Sequence, residues 1–230
     1  MEFHFYSVVA ALTIATTTVF AGVDSLPVEK IKRGNNSHII TMLDRGGLNN
    51  FSCTPLYNRN TNQFDKLFTK RAMKKARVKS MTLLTFDETI HNIGTVNDRR
   101  PNKVFKETQE LFAKAKNHMQ YSTEGLAKDV IGTLNYSLML AKQFNSSDKV
   151  VIILFSNLRD SVRTKDELRA MKNIKLPDNV YLRIYASSGI ASCLANTTAS
   201  QSLQAESSYS NFYKSKIDGD IKIYTIYGGQ

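Results

Sequence analysis

The chain has 230 residues, 42% of them hydrophobic, no tryptophan and a formal net charge of +11. That length suits one domain with a real core, and a basic balance of this size favours anionic partners: nucleic acid, phospholipid, cell-wall polymer or an acidic protein face. The four histidines are scattered and the two cysteines isolated, which excludes a Cys/His metal cluster.

Residues 5–21, FYSVVAALTIATTTVFA, are apolar or small throughout and end in Val19-Phe20-Ala21 before Gly22. This pattern predicts a secretory signal peptide over residues 1–21, although its leading MEFH carries no Lys or Arg. The run is short and threonine-rich for a membrane span of ~20 apolar residues. An uncleaved anchor is the alternative, and only then is a membrane a partner. Cleavage discards one acid, Glu2, and no base, raising the formal charge from +11 to +12.

Residues 22–36 are polar and read as a linker, leaving 37–230 as the domain. Residues 38–43 (HIITML) predict a strand, closed by the turn Asp44-Arg45-Gly46-Gly47; an asparagine-rich loop with Cys53 and Pro55 follows. Over 62–79, Lys70, Arg71, Lys74, Lys75 and Arg77 interleave with Leu67, Phe68, Ala72, Met73 and Ala76. That spacing predicts an amphipathic helix with a solvated basic face, and without a stacking ladder of aromatics it does not favour nucleic acid.

Residues 80–86 (SMTLLTF) predict a second strand and 89–96 (TIHNIGTV) a brief polar strand returning at the edge of the sheet. Helices are expected over 102–118, with Val104, Leu111, Phe112 and Ala115 on one face, and over 126–144, with a break at 121–125 between them. Residues 150–155 (VVIILF) are a short, mostly β-branched run bounded by polar residues, the pattern of a strand buried on both faces. Its exit is Ser156, Asn157, Arg159, Asp160 and Ser161; in open α/β sheets the ligand crevice lies beyond such carboxyl ends. A charged helix (164–173), a strand (180–186), a loop with Gly189 and Cys193, a helix (200–216) and a last strand (221–227) complete the chain. Alternating strands and helices predict a three-layer, doubly wound α/β fold: a mostly parallel six-stranded sheet with one antiparallel edge strand.

This order resembles the von Willebrand factor type A domain over about residues 37–228. The resemblance implies a divalent-metal site at the ends of the first and fourth parallel strands, built from Asp-x-Ser-x-Ser, a loop Thr and a turn Asp. Here Asp44 matches the first aspartate, Gly46 and Leu48 stand at the serine positions, Thr123 matches the loop threonine and Asn157 replaces the turn aspartate. Asp160 is the candidate substitute. Mg²⁺ relies on carboxylate charge, so a weak or vestigial Mg²⁺ site, and no cofactor, is expected. In the family's strand order the first and fifth parallel strands flank the fourth, so the loops bearing Cys53 and Cys193 leave strands about 10 Å apart. A disulfide needs Cα atoms within ~7 Å, and loops of that length can close the gap; two independent buried thiols are the alternative.

The segment LFSNLRDS also looks like the FSD-x-x-x-x-S turn of exported bacterial A-type domains linked to conjugation and type IV secretion. The resemblance therefore implies a periplasmic or secreted, non-enzymatic protein-interaction module in conjugation, type IV secretion or envelope assembly. It would dock an acidic protein or anionic envelope component through a crevice at Gly46, Gly47, Ser156 and Arg159, or through the basic face. The alternative is a metal-dependent or hydrolytic enzyme using Asp44, Thr123, Ser156 and Asp160. Against it, no His other than His91 is expected near that end of the sheet, and no Lys-Ser/Thr follows Gly46-Gly47 to make a phosphate loop. Intact mass of the exported protein should give an N-terminus at Gly22; full-length mass in the membrane fraction would refute cleavage.

Overall fold

The computed structural model describes residues 36–45, 64–120, 127–187 and 199–226. At its centre, residues 150–155 form the body of strand β4 (Lys149–Ser156), and all six are fully buried. Because side chains of a strand alternate between faces, Val151, Ile153 and Phe155 enter one core and Val150, Ile152 and Leu154 the other. A strand with no polar face requires a neighbour on each edge and helices over both sides.

β1 (Ser37–Asp44) and β6 (Val180–Ser187) supply the two neighbours, both parallel to β4. Beyond β1 lie β2 (Val78–Phe86), parallel, and β3 (Ile90–Asn97), antiparallel and at the edge; beyond β6 lies β8 (Asp220–Ile226). The sheet order is β3-β2-β1-β4-β6-β8. Helices α1 (Lys70–Lys75) and α2 (Pro101–Gln120) cover one face through Met73, Val104, Phe112 and Ala115. Helices α3 (Val130–Ala141) and α5 (Ala199–Lys216) cover the other through Val130, Leu134, Leu138 and Tyr213. This is the three-layer, doubly wound architecture expected, with its single antiparallel edge strand. The signal segment, the linker up to residue 35, and Cys53 and Cys193 lie outside the described residues.

Several boundaries differ from the expected ones for local reasons. The basic helix is broken: residues 64–67 form one turn, and Thr69, accepting from Ala72 N at 3.2 Å, caps a new start at α1. It ends at Ala76; Arg77 is left-handed (φ 49°), which turns the chain so that the buried Val78 opens β2 two residues early. The alternation itself holds, with Ala72, Met73 and Ala76 buried and Lys70, Arg71, Lys74, Lys75 and Arg77 exposed. Helix α4 (Lys165–Ala170), shorter than expected, starts on a capping box between Thr164 and Glu167. A small parallel pair, β5 (Ile174–Lys175) with β7 (Ile217–Asp218), was not expected. It brings Leu176 so close to Gly219 (φ +131°) that a Cβ there would meet the Leu176 Cβ at 2.7 Å.

At the start of β1, His38 stacks on Phe144 (ring centroids 4.0 Å), with Nδ1 at 2.7 Å from Ser80 Oγ and Nε2 at 3.2 Å from Asp148 Oδ2. Burial holds its pKa below the ordinary 6.5, outweighing the opposing pull of Asp148; Lys79 lowers it further. Protonation is thus harder in the folded chain than in the unfolded one. The stability linked to neutral His38 is present above pH 6.5 and is lost as the pH falls from there through the lowered folded value. Urea unfolding at about pH 7.5 and about pH 5.5 should show this loss, and His38→Gln should remove its share.

Candidate functional site

The carboxyl ends of β1 and β4 place Asp44 beside Ser156, both buried. Ser156 Oγ donates to Asp44 Oδ2 at 2.6 Å and accepts from Leu158 N at 3.0 Å. Lys128 Nζ faces the same carboxylate oxygen at 3.2 Å, with the two side chains only 5% and 4% exposed. Lys128 precedes Asp129, whose side chain caps α3 by accepting from Gly132 N at 2.6 Å. Its own backbone is clamped: Lys128 N donates to Ser161 Oγ at 2.7 Å and Ser161 N donates to Lys128 O at 2.9 Å. Asp129 N donates to Asp87 O at 2.8 Å, so the exits of β2 and β4 together hold the start of α3.

The loop after β4 is built on two local turns. Asn157 Oδ1 accepts from Arg159 N at 3.1 Å, the self-bonding turn that asparagine favours. Leu158 then sits in the left-handed region (φ 64°) with its side chain fully buried. The backbone cost, about 1–2 kcal/mol, is matched by burial of a leucine, about 1.5–3 kcal/mol. Asp160 Oδ2 accepts from Ile131 N at 3.0 Å and from Arg163 Nη1 at 3.0 Å, and Oδ1 accepts from Arg163 N at 3.1 Å. Arg163 also pairs with Asp129, and these carboxylates, Asp129 foremost, hold its pKa above the ordinary value. Arg159 and Ser161 are exposed at the rim.

A second polar cluster lies beside the first. Arg45 Nε faces Asp87 Oδ2 at 3.4 Å, both side chains buried, and Arg45 Nη1 reaches His118 Nε2 at 3.3 Å. A guanidinium only donates, so Nε2 accepts, and the remaining proton is placed on Nδ1, directed at Thr85 Oγ1 2.9 Å away. His118 packs edge-on to His91, with centroids 4.8 Å apart. Two histidines therefore reach this end of the sheet, not His91 alone. His118, closing α2 far along the chain, was missed because nothing local marks it.

The described donors do not fit a divalent cation. Asp44 is engaged by a hydroxyl and an ammonium, Asn157 by its own turn, and Asp160 by two backbone N–H groups and a guanidinium. Among the described residues no group of three or more His, Cys, Asp or Glu is placed to hold a metal ion. Gly46, Gly47, Leu48 and Thr123 lie outside the described residues. The structure thus brings Asp44 and Ser156 together, and sets Asp160 apart as a cap for α3. Sequence reasoning missed Lys128 and Arg163; an N-cap aspartate before Val130-Ile131 was the one legible signal of where α3 starts. A groove of about 430 Å³, rimmed by Lys142, Lys172 and Lys175, lies at the other end of the sheet, away from this chemistry.

The strand order, with an aspartate closing β1, defines a doubly wound α/β protein whose strand-end site carries a lysine against the aspartate. No protein-family model matches the sequence, and no curated protein matches it. Among solved structures, the chain is similar to the ArnB paralog VWA2 from Sulfolobus acidocaldarius (15% identity, TM-score 0.41, covering 66% of this chain and 35% of that one). It is also similar to proximal thread matrix protein 1 from the mussel byssus (11%, TM-score 0.42, 78% and 47%). A third similar structure is the conserved hypothetical protein BatB from Bacteroides thetaiotaomicron (11%, TM-score 0.43, 84% and 92%). The chain spans about a third to a half of the length of the first two.

Asp160→Ala should strip the buried Ile131 N–H of its acceptor and leave Arg163 partly unpaired, costing about 2–4 kcal/mol in urea unfolding. Asp160→Asn, which keeps an acceptor, should cost less.

Proposed function

We propose that the chain is an exported, non-enzymatic protein-interaction module of von Willebrand factor A type, acting in the periplasm or outside the cell in conjugation, type IV secretion or envelope assembly. It docks an acidic protein surface through the basic face of α1. The observation that carries this reading is the state of Lys70, Arg71, Lys74, Lys75 and Arg77: all five are exposed, and none has an ion-pair partner among the described residues. The same segment buries Ala72, Met73 and Ala76 in the core, so the charges ride on a fixed mount. Unpaired charges on a rigid face speed encounter with an oppositely charged partner and discriminate against the wrong one.

The state of the strand-end groups supports the non-enzymatic side of the reading. Ser156 is 1% exposed, with its proton on Asp44, and a nucleophile needs an approach path for its substrate. His118 Nε2, the nitrogen that could take a proton, is covered by the Arg45 guanidinium. No helix among the described residues is long and apolar enough to cross a membrane.

Crosslinked affinity purification of the exported protein, wild type against the Lys70→Glu/Arg71→Glu/Lys74→Glu/Lys75→Glu variant, tests the reading. The wild type should retain an acidic protein partner at low salt and release it at high salt, and the variant should retain it at least about tenfold less. Equal retention by the variant, or retention of anionic vesicles with no protein partner, would refute it.

A further inference from the structure

Asp44 carries its charge into a place that water hardly reaches. A carboxylate buried alone takes up a proton, and an ammonium buried alone gives one up. Asp44 and Lys128 are 4% and 5% exposed, and their charged groups lie 3.2 Å apart. The type A resemblance puts a divalent cation beside this aspartate, between the ends of the first and fourth parallel strands. In this chain an ammonium stands there.

We propose that Lys128 is the built-in cation of the strand-end site: Asp44 is committed to it, and this face of the protein is complete without Mg²⁺, Mn²⁺ or Ca²⁺. Three observations besides the distance carry the assignment. The ammonium is delivered from a backbone clamped on both sides, by the Ser161 bonds and by Asp129 N on Asp87 O, so its stem starts from a fixed point. Ser156 donates to the same carboxylate oxygen, so one oxygen of Asp44 joins the ends of β1 and β4 to the ammonium that precedes α3. The neighbouring carboxylate, Asp160, is likewise matched by a cation of the chain, Arg163. A divalent ion arriving beside Asp44 would meet a fixed positive charge within a few ångströms in a poorly solvated place, and like charges that close repel strongly.

This assignment does not rest on the interaction-module reading, which stands whether or not a metal binds. The first measurement is titration of the exported wild-type protein with Mn²⁺, followed by electron paramagnetic resonance, together with thermal unfolding in EDTA, Mg²⁺ and Ca²⁺. The proposal expects no saturable Mn²⁺ site and a melting temperature that does not move. A site tighter than about 100 μM that Asp44→Asn abolishes would overturn it, since coordination by Asp44 requires displacing Lys128. The second measurement is a double-mutant cycle. Lys128→Met strands a buried carboxylate and should lower the melting temperature by roughly 6–20 °C. Asp44→Asn/Lys128→Met should recover at least half of that loss, because the two changes remove one interaction. Additive losses would overturn the pairing. If Lys128→Met does not fold and the double variant does, the pairing is supported; if neither folds, the Mn²⁺ titration of the wild type decides.

Discussion

β4 has no side on which water can reach it. Its six central residues alternate between two apolar cores, so each edge must be taken by another strand and each face by helices. Parallel neighbours follow because the connections must cross over the sheet and return, and the crossovers are the helices that cover it. β1 and β6 take the edges, α1 and α2 one face, α3 and α5 the other. The polar β3, with its face half open, can only lie at the margin.

That arrangement delivers several charged groups to one end with little water to stabilise them. The exits of β1, β2 and β4 carry Asp44, Arg45, Asp87 and Asp160, all buried. Each is answered by a partner from another segment: Lys128 for Asp44, Arg163 for Asp160, and Arg45 and Asp87 for each other. Pairs of this kind rarely add much net stability over apolar packing, but removing one partner is costly. They therefore act as registration: loops from different strands fit only when every charge finds its counterpart. The left-handed Leu158 belongs to the same geometry, held by the Asn157 turn and by its own buried side chain.

Among the described residues, the strand-end carboxylates are paired with cations of the chain, whereas the basic residues of 70–77 face outward. Charges that neutralise each other inside contribute little field outside, whereas the exposed lysines and arginines of 70–77 project theirs into solvent. In a chain with a net charge of +11, that exposed face would add a local pull on an anionic partner.

Which parts were legible beforehand follows from the range of the forces involved. The apolar runs of β1, β2, β4, β6 and β8 and the helical spacing around Leu67–Ala76 and Val104–Ala115 are local patterns, set by where each side chain must point. They determined the α/β fold, the antiparallel edge strand and the position of Asp44 at a strand end. Even there, Thr69 and Asp129 shifted helix starts, because one cap bond outweighs a continuing periodicity that is weakly enforced at its ends. What Asp44 faces was not a local matter. Lys128 fell inside an expected helix, and Ser156 and Asp160 read as crevice and metal candidates at the exit of β4; only the folded sheet decides that one supplies an ammonium, one a hydroxyl and one a cap for α3. Charge pairing depends on distance in space and on exclusion of water, and neither exists until segments far apart in the chain have packed together.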